Sequence, residues 1–335
     1  EQESWKVFTD LMPRSQVPQM DFDYAFRYGL ARQDLSLKYL SDLSGISTED
    51  RLAALAKLID AYDRWIGSLD LMSLAPDLRA VAERHIQMCR EASRRMKDGL
   101  ACLRDDPDAM RAFELANRAM FMQMKHRDVI RSVSDEEDPT EVPYEFIDYG
   151  QVDRDFTVYV WRPFQAAFFL MSIRGLTATE PDSSIEDRRE RDLVDIIWFP
   201  TGGGKTEAYL ALTAFTIFYR RLRYPESSSG TAVLMRYTLR LLTSQQFSRA
   251  STLICACEVI RKELWKESRR RDERWSTPIT IGLWIGGEHT PNKNSSQEPM
   301  GAKQYLKLLK EHKASLEHRN DTYNKFQVLV CPWAV

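Results

Sequence analysis

The chain has 335 residues, of which 43% are apolar and 29% are charged, and its formal net charge is -2 at pH 7. This length predicts two or three domains with the composition of an ordinary soluble protein. The near-zero charge excludes a uniformly basic nucleic-acid-binding surface, so any DNA-binding surface must be a local patch.

The cysteines and the apolar runs indicate the cellular compartment in which the protein is expected to work. Five cysteines, including the pair in CAC at 255–257, form no recognisable disulfide framework, which predicts a reducing cytoplasm. The apolar runs are too short or too charged to span a membrane, and no signal peptide opens the chain. Because the chain starts at Glu1 and stops inside VLVCPWAV, we expect a piece of a longer protein.

Helical periodicity dominates the first part of the chain after residue 46. Ser47 or Thr48 can cap a helix over STEDRLAALAKLIDAYDRWI, whose apolar residues form one stripe. Two further long helices are predicted over 75–105, with Gly99 near its end, and over 107–133, opened by Pro107. The methionines at 120, 122 and 124 are expected to pack in the core rather than bind a metal. The sequence therefore predicts an all-helical domain over residues 1–140.

The pattern of apolar and polar residues changes after an acidic, proline-containing linker at 141–154. Apolar runs typical of strands, DLVDIIWF, TAVLM, PITIGLWI and FQVLVC, alternate with helical stretches from Lys205 to about Arg223 and from about Leu239 to Arg270. This order predicts an α/β lobe over 155–335, with a parallel doubly wound sheet that is incomplete at its carboxyl end.

The stretch PTGGGKT at 200–206 lies between a predicted strand and a predicted helix. Its three glycines let successive backbone N–H groups face one cluster of phosphate oxygens, and the helix dipole adds to that field. The Lys205 ammonium would reach the β- and γ-phosphates of ATP, and the Thr206 hydroxyl would bind Mg²⁺. A glycine-rich turn that only caps a helix is the alternative. The predicted phosphate-binding residues are Thr201, Gly202, Gly203, Gly204, Lys205, Thr206 and Glu207.

A second candidate for the same site is Gln165 in WRPFQAAFF. Its amide can donate to and accept from adenine, and the neighbouring Phe164 could stack on the base. The alternative is a glutamine at a helix start that is satisfied by backbone groups. Together with the glycine loop, Gln165 and Phe164 favour ATP over GTP.

Residues 236–246, RYTLRLLTSQQ, follow the second predicted strand and favour contact with a nucleic-acid backbone. A solvated loop and first helical turn is the alternative. The basic run at 261–274 contains acids and is expected to be a solvated helix face. The candidate contacts in 236–246 are Arg236, Tyr237, Thr238, Arg240, Thr243 and Gln245.

The order RPFQ, PTGGGKT, AVLMRYTLRLLTSQQ and IGLWIGGEH resembles the first RecA-like lobe of superfamily 2 helicases. The resemblance implies that Gly286 and Gly287 also lie at the nucleic-acid surface. Over most of residues 50–290 the chain is similar to the DrmA family, the helicase-like subunits of bacterial DISARM anti-phage systems. That resemblance implies an ATPase that translocates along or unwinds DNA, with a partner subunit resembling DrmB and no membrane.

The resemblance also shows what is absent. No Asp-Glu pair follows a predicted strand after Lys205, and no second lobe with an arginine finger is present. We therefore expect these residues to bind ATP and Mg²⁺ but not to hydrolyse ATP alone. Cys331 in VCPW would suit the start of a Cys-x-x-Cys zinc knuckle, but these residues supply no second thiol, and one cysteine does not make a metal site. The alternatives to a motor are a nucleotide-gated DNA clamp or scaffold and a small-molecule kinase.

Overall fold

The computed structural model describes residues 24–70, 76–134, 147–150, 155–178, 184–197, 203–237, 240–283, 301–304, 307 and 333. These residues are mostly helical. The helices are α1 Tyr24–Arg27, α2 Leu37–Leu40, α3 Thr48–Asp70, α4 Pro76–Asp105, α5 Pro107–Ser134, α6 Asp155–Val158, α7 Pro163–Thr177, α8 Ile185–Asp192, α9 Lys205–Arg223 and α10 Arg240–Glu267. Short 3₁₀ turns lie at Arg32–Leu35, Pro225–Ser227 and Glu273–Trp275.

The three long helices predicted in the first part of the chain are confirmed as α3, α4 and α5. The Ser47 hydroxyl caps α3 by accepting from the Asp50 amide at 3.1 Å. One carboxylate oxygen of Asp106 caps α5 by accepting from the amides of Asp108 and Ala109, and Pro107 is the first residue of that helix. The three methionines of α5 are buried, as their predicted role in core packing requires: Met120, Met122 and Met124.

The predicted parallel doubly wound sheet is wrong for the described residues. Segments 193–197, 231–235 and 278–283 contain no strand, and the backbone pairing found is one isolated antiparallel bridge between Ser36 and Val160. The FQVLVC run lies outside the described residues. The described part therefore does not form the RecA-like architecture that the alternation of apolar runs and helices predicted.

The physical reason is that an apolar run favours an extended backbone but does not supply its partner. A strand needs a neighbouring backbone to satisfy its N–H and C=O groups. The side chains of Val194 and Leu234 are 89% and 71% exposed, so these runs are not buried between layers of structure. Helix–helix packing buries the apolar faces of the helices instead.

An aromatic chain in the core fixes how the helices pack. Phe113 on α5 contacts Phe169 on α7 with ring centroids 5.1 Å apart, and Phe169 contacts Phe215 on α9 at 5.7 Å. The buried indole N–H of Trp161 donates to the side-chain oxygen of Asn117 on α5 at 2.8 Å. Residues before 140 and after 155 thus share one core, which brings the start of α7 beside the start of α9. The boundaries predicted at 140 and 155 stay a prediction.

His126 on α5 is a buried histidine held in one tautomer. Its Nδ1 donates to the carbonyl oxygen of Trp333 at 3.0 Å, so its Nε2 accepts from the Tyr149 hydroxyl. The indole of Trp333 stacks on the imidazole with centroids 3.5 Å apart. Burial lowers the pKa of His126 to about 4, against the hydrogen bond to Trp333, which raises it.

We expect this histidine to make the protein less stable as the pH falls from 6.5 towards 4. In this pH range the histidine of the unfolded chain binds a proton and the buried histidine of the native state does not. The free energy of unfolding therefore decreases as the pH decreases. Between pH 7 and 5 the loss is about 1–2 kcal/mol, at 1.36 kcal/mol per pKa unit. Urea denaturation across this range measures it. The His126→Gln variant should lack this part of the slope, and an unchanged slope would contradict the assignment.

Candidate functional site

The glycine turn ends at the first residue of α9, where the sequence predicted that helix to begin. Gly204 is the N-cap residue with φ +86° and ψ +25°, the left-handed region that favours glycine. A Cβ at this position would lie 2.7 Å from Nε2 of Gln165, so the end of that side chain would have to shift. The backbone angle is therefore the main reason for glycine at 204.

Two side chains at the start of α7 hold the carbonyl groups of this turn. The Arg162 guanidinium donates to the Gly203 carbonyl oxygen at 2.8 Å, and Nε2 of Gln165 donates to the Gly204 carbonyl oxygen at 2.7 Å. In a trans peptide the C=O and the following N–H point in opposite directions. The N–H groups of Gly204 and Lys205 therefore point away from α7, as an anion at the start of α9 would require.

Gln165 also fulfils the alternative that the sequence left open, because its Oε1 accepts from the Arg162 amide at 2.9 Å and caps α7. An amide side chain has two donor hydrogens and two acceptor lone pairs. These two bonds use one donor and one acceptor of a side chain that is only 4% exposed. The sequence predicted that Gln165 and the glycine loop serve one site, and the structure brings them into direct contact.

Glu207, the third residue of α9, is 6% exposed and is held by arginines from two other helices. Its Oε1 accepts from Arg249 of α10 and from Arg127 of α5, the latter at 3.4 Å. Its Oε2 is buried and, among the described residues, has no hydrogen-bond partner. This oxygen would lie 3.5 Å from a Cβ on Gly204 and therefore faces the glycine turn.

The charges around the turn favour an anion. Lys205, Arg162, Arg127 and Arg249 bring four positive charges close to the start of α9. Two negative charges oppose them, from Glu207 and from Asp128, which pairs with Arg127 at 3.5 Å. The amino end of the helix dipole adds a partial positive charge. Because the cations outnumber the carboxylates, an incoming phosphate is attracted to this end of α9.

An apolar cavity of about 270 Å³ lies beside the first turn of α7. It is large enough and apolar enough for a planar ring system, and its aromatic walls could stack on one. The phenyl ring predicted to stack on adenine is one of its walls. The lining includes Tyr62, Met96, Phe164, Phe168 and Met171.

The other predicted ATP-site residues are placed as follows. Lys205 and Thr206 are the half-buried first two residues of α9, whereas Thr201 and Gly202 lie outside the described residues. In the described part of the chain, no three His, Cys, Asp or Glu side chains are grouped to hold a metal. Mg²⁺ at a phosphate site needs only one or two protein ligands besides phosphate and water, so Thr206 remains a sufficient candidate.

The predicted nucleic-acid contacts are only partly visible. Arg236 and Tyr237 are exposed residues directly before α10. Arg240 is the first residue of that helix, and Thr243 and Gln245 follow in it, but their side chains lie outside the described residues. Thr238, Gly286 and Gly287 are also outside the described part, so their place in a nucleic-acid surface stays a prediction.

Sequence reasoning missed the three arginines of the site. Arg162 directly precedes α7, and the glutamine three residues after it is the local signal of that helix start. Arg127 and Arg249 are 80 and 42 residues away from Glu207 in the chain, and no local pattern links them to it. Only the packing of α5 and α10 around α9 reveals this cluster.

A comparison with known protein families finds no match for this chain. A comparison with curated proteins finds a relative in Bacillus paralicheniformis, "DISARM protein DrmA", which is 32% identical over 292 residues. The chain is related to DrmA. The match covers 84% of this chain and 23% of that DrmA protein, so the chain spans about a quarter of its relative's length. Within the described residues, no helix has the length and apolar character needed to cross a membrane.

Proposed function

We propose that this chain is the ATP-binding part of an ATP-dependent DNA translocase or helicase subunit that acts in bacterial anti-phage defence. The relation to DrmA supports the defence role and assembly with other subunits, one of which we propose to resemble DrmB. The observation that carries the nucleotide assignment is the glycine turn at α9, whose carbonyl groups are bonded to Arg162 and Gln165. That arrangement points the amide groups of the turn away from α7, towards the place that an anionic ligand would take.

The residues at the turn suit ATP in three respects. The amides of Gly204 and Lys205, the Lys205 side chain and the helix dipole provide positive charge for the phosphates. The Thr206 hydroxyl provides a ligand for Mg²⁺, which neutralises phosphate charge when bound. The second donor and acceptor of the Gln165 amide suit the edge of adenine, and the phenyl ring of Phe164, which lines the apolar cavity, suits a face of the base.

The DNA part of the proposal depends on Arg236 and Tyr237, which are exposed at the start of α10, and on Arg240. Contacts from arginine to phosphate are independent of base sequence and release counterions. Binding through them is therefore sensitive to salt.

A DNA-stimulated ATPase assay on the full-length protein, with any co-purifying partner, tests this proposal. We expect DNA to stimulate ATP hydrolysis. With two arginines at phosphates, the DNA concentration for half-maximal stimulation should rise by about 10-fold between about 50 and 200 mM salt. Charge-reversed Arg236→Glu should remove part of this salt dependence, whereas Lys262→Glu, on the exposed face of α10, should not.

The outcomes separate the alternatives. Nucleotide-dependent DNA binding without turnover in the full-length protein would identify a clamp rather than a motor. ATP binding that DNA leaves unchanged, with phosphate transfer to a small molecule, would identify a kinase. Absence of nucleotide binding would overturn the assignment of the glycine turn.

A further inference from the structure

Residues 194–197 form one wall of the apolar cavity, although they belong to neither a helix nor a strand. Ile196 and Ile197 line the cavity together with side chains from α3, α4 and α7. Ile196 is nevertheless 84% exposed, so it lies where the cavity opens to solvent. An apolar side chain in this position gains free energy when a ligand removes it from water. Ile196 is therefore placed to contact an apolar ring that enters the cavity.

One arginine of α4 ties this wall to the helices. The guanidinium of Arg95 donates to both carboxylate oxygens of Asp195, at 2.7 and 2.8 Å. Such a paired bond between a guanidinium and a carboxylate fixes the orientation of the two groups as well as their distance. Among the described residues, these two bonds are the polar contacts that join segment 194–197 to the helices.

Arg95 is itself held by groups that are largely buried. Its Nε donates to Oε2 of Glu190 on α8 at 2.9 Å, and the other oxygen of Glu190 accepts from Arg94 at 2.8 Å. Arg95 also reaches the carbonyl oxygen of Met171, another residue of the cavity lining, at 3.5 Å. The side chains of Arg95 and Glu190 are 11% and 6% exposed, so water screens this pair weakly. The guanidinium that fixes the wall therefore has little freedom to turn away from it.

The cavity and the glycine turn adjoin the same turn of α7. Phe164 lines the cavity, and the next residue, Gln165, donates to the Gly204 carbonyl oxygen at 2.7 Å. A ligand whose phosphates bind at the glycine turn could therefore place an attached planar ring in the cavity. Aromatic and aliphatic side chains line that space and suit the faces of such a ring.

We propose that Ile196 contacts the base of the bound nucleotide and that Arg95 and Asp195 are positioning residues that hold this wall in place. The inference rests on the proposed function, because it assumes that the glycine turn binds the phosphates of a nucleotide. The wall lies at the cavity and not at the turn, so it should contribute to the binding of the base and not to that of the triphosphate. Ligands with and without a base should therefore respond differently to changes in the wall.

The test compares ATP with inorganic tripolyphosphate, which has the phosphates but no nucleoside. Each competes with a fluorescent ATP analogue for the full-length protein in the presence of Mg²⁺ and any co-purifying partner. The dissociation constant of tripolyphosphate divided by that of ATP gives a nucleoside factor. For the unaltered protein we expect this factor to exceed about 10, because the cavity stabilises only the ligand that carries a base.

The first pair of variants tests contact with the base. Ile196→Ala should lower the nucleoside factor by about 4- to 15-fold, since each methylene group that the base no longer covers costs about fourfold in affinity. Val194→Ala is the matched control. It removes an apolar side chain from a similarly exposed position that does not line the cavity, and it should leave the factor unchanged.

The second pair tests the positioning role. Arg95→Met should lower the nucleoside factor by about 10-fold and leave the dissociation constant of tripolyphosphate within about threefold, because only the wall loses its fixed position. Arg94→Met removes the neighbouring partner of Glu190 and should leave both dissociation constants unchanged. If Arg95→Met folds poorly, Asp195→Asn weakens the same paired bond at a partly exposed side chain and should lower the factor by about threefold.

The results distinguish failure of this inference from failure of the proposed function. An unchanged factor in Ile196→Ala, or a factor near 1 in the unaltered protein, would overturn the inference while tripolyphosphate still bound at the glycine turn. Equal losses for both ligands in Arg95→Met would show that Arg95 only supports the fold and would overturn its positioning role. If the unaltered protein binds neither ligand, the proposed function itself is rejected.

Discussion

Replacing Lys205 with alanine is expected to weaken ATP binding by about 10- to 150-fold and to abolish nucleotide-dependent activity in the full-length protein. The lysine is the first residue of α9, beside the left-handed Gly204. A hydrogen bond to a charged group contributes about 1.5–3 kcal/mol, which corresponds to that range of affinity. Titration of a fluorescent ATP analogue and measurement of the ATPase rate check this expectation.

Two further variants sharpen the Lys205 experiment. Lys205→Arg keeps the positive charge but replaces a compact ammonium with a planar guanidinium, and we expect most of the loss to remain. Lys262→Ala removes a lysine from the exposed surface of α10 and should leave nucleotide binding unchanged. An unchanged ATPase rate in Lys205→Ala would reject the glycine turn as the nucleotide site.

The second large effect is expected from Gly99→Ala on α4. A Cβ at Gly99 would lie 1.9 Å from the backbone carbonyl oxygen of Leu170 on α7, and a backbone atom cannot move aside as the end of a side chain can. Alanine normally favours a helix, but the overlap should dominate and lower the free energy of unfolding by about 3 kcal/mol. Because α7 also carries Arg162 and Gln165, any shift of α7 should weaken nucleotide binding as well.

Gly67→Ala is the matched control, because Gly67 lies inside α3 and nothing surrounds the position of its Cβ within 4 Å. This change should stabilise the protein by up to about 1 kcal/mol through helix propensity alone. Chemical denaturation of both variants gives the comparison. Equal stabilities for the two variants would mean that α4 and α7 are not in close backbone contact.

The sequence predicted the long helices well because their signals are local. The Ser47 cap, the Asp106–Pro107 start of α5 and the first residue of α9 can each be identified from a few neighbouring residues. Gly99 shows the limit of such signals. It lies near the end of α4, as predicted, but its close contact with α7 is encoded by no local pattern.

The sheet could not be predicted reliably for the same reason. Strand pairing depends on segments far apart in the chain, and short apolar runs such as those around Val194 and Leu234 do not identify a partner. For the candidate site, too, the sequence identifies the residues that lie in local motifs but not the residues that packing brings to them. Its glycine turn and Gln165 carry recognisable motifs, but the partners of Glu207 do not, because nothing local distinguishes Arg127 and Arg249 among 47 lysines and arginines.

The aromatic contacts from Phe113 through Phe169 to Phe215 limit which amino-acid substitutions the chain can tolerate. The helix that braces the glycine turn depends on its neighbours, since α7 packs against α4 and α9 and its Phe169 also contacts Phe113 of α5. A change of ring size at Phe113 would therefore shift α7, although Phe113 itself does not contact the glycine turn. Selection that preserves the shape of the turn must extend to α5, and substitutions there should be tolerated mainly in compensating pairs.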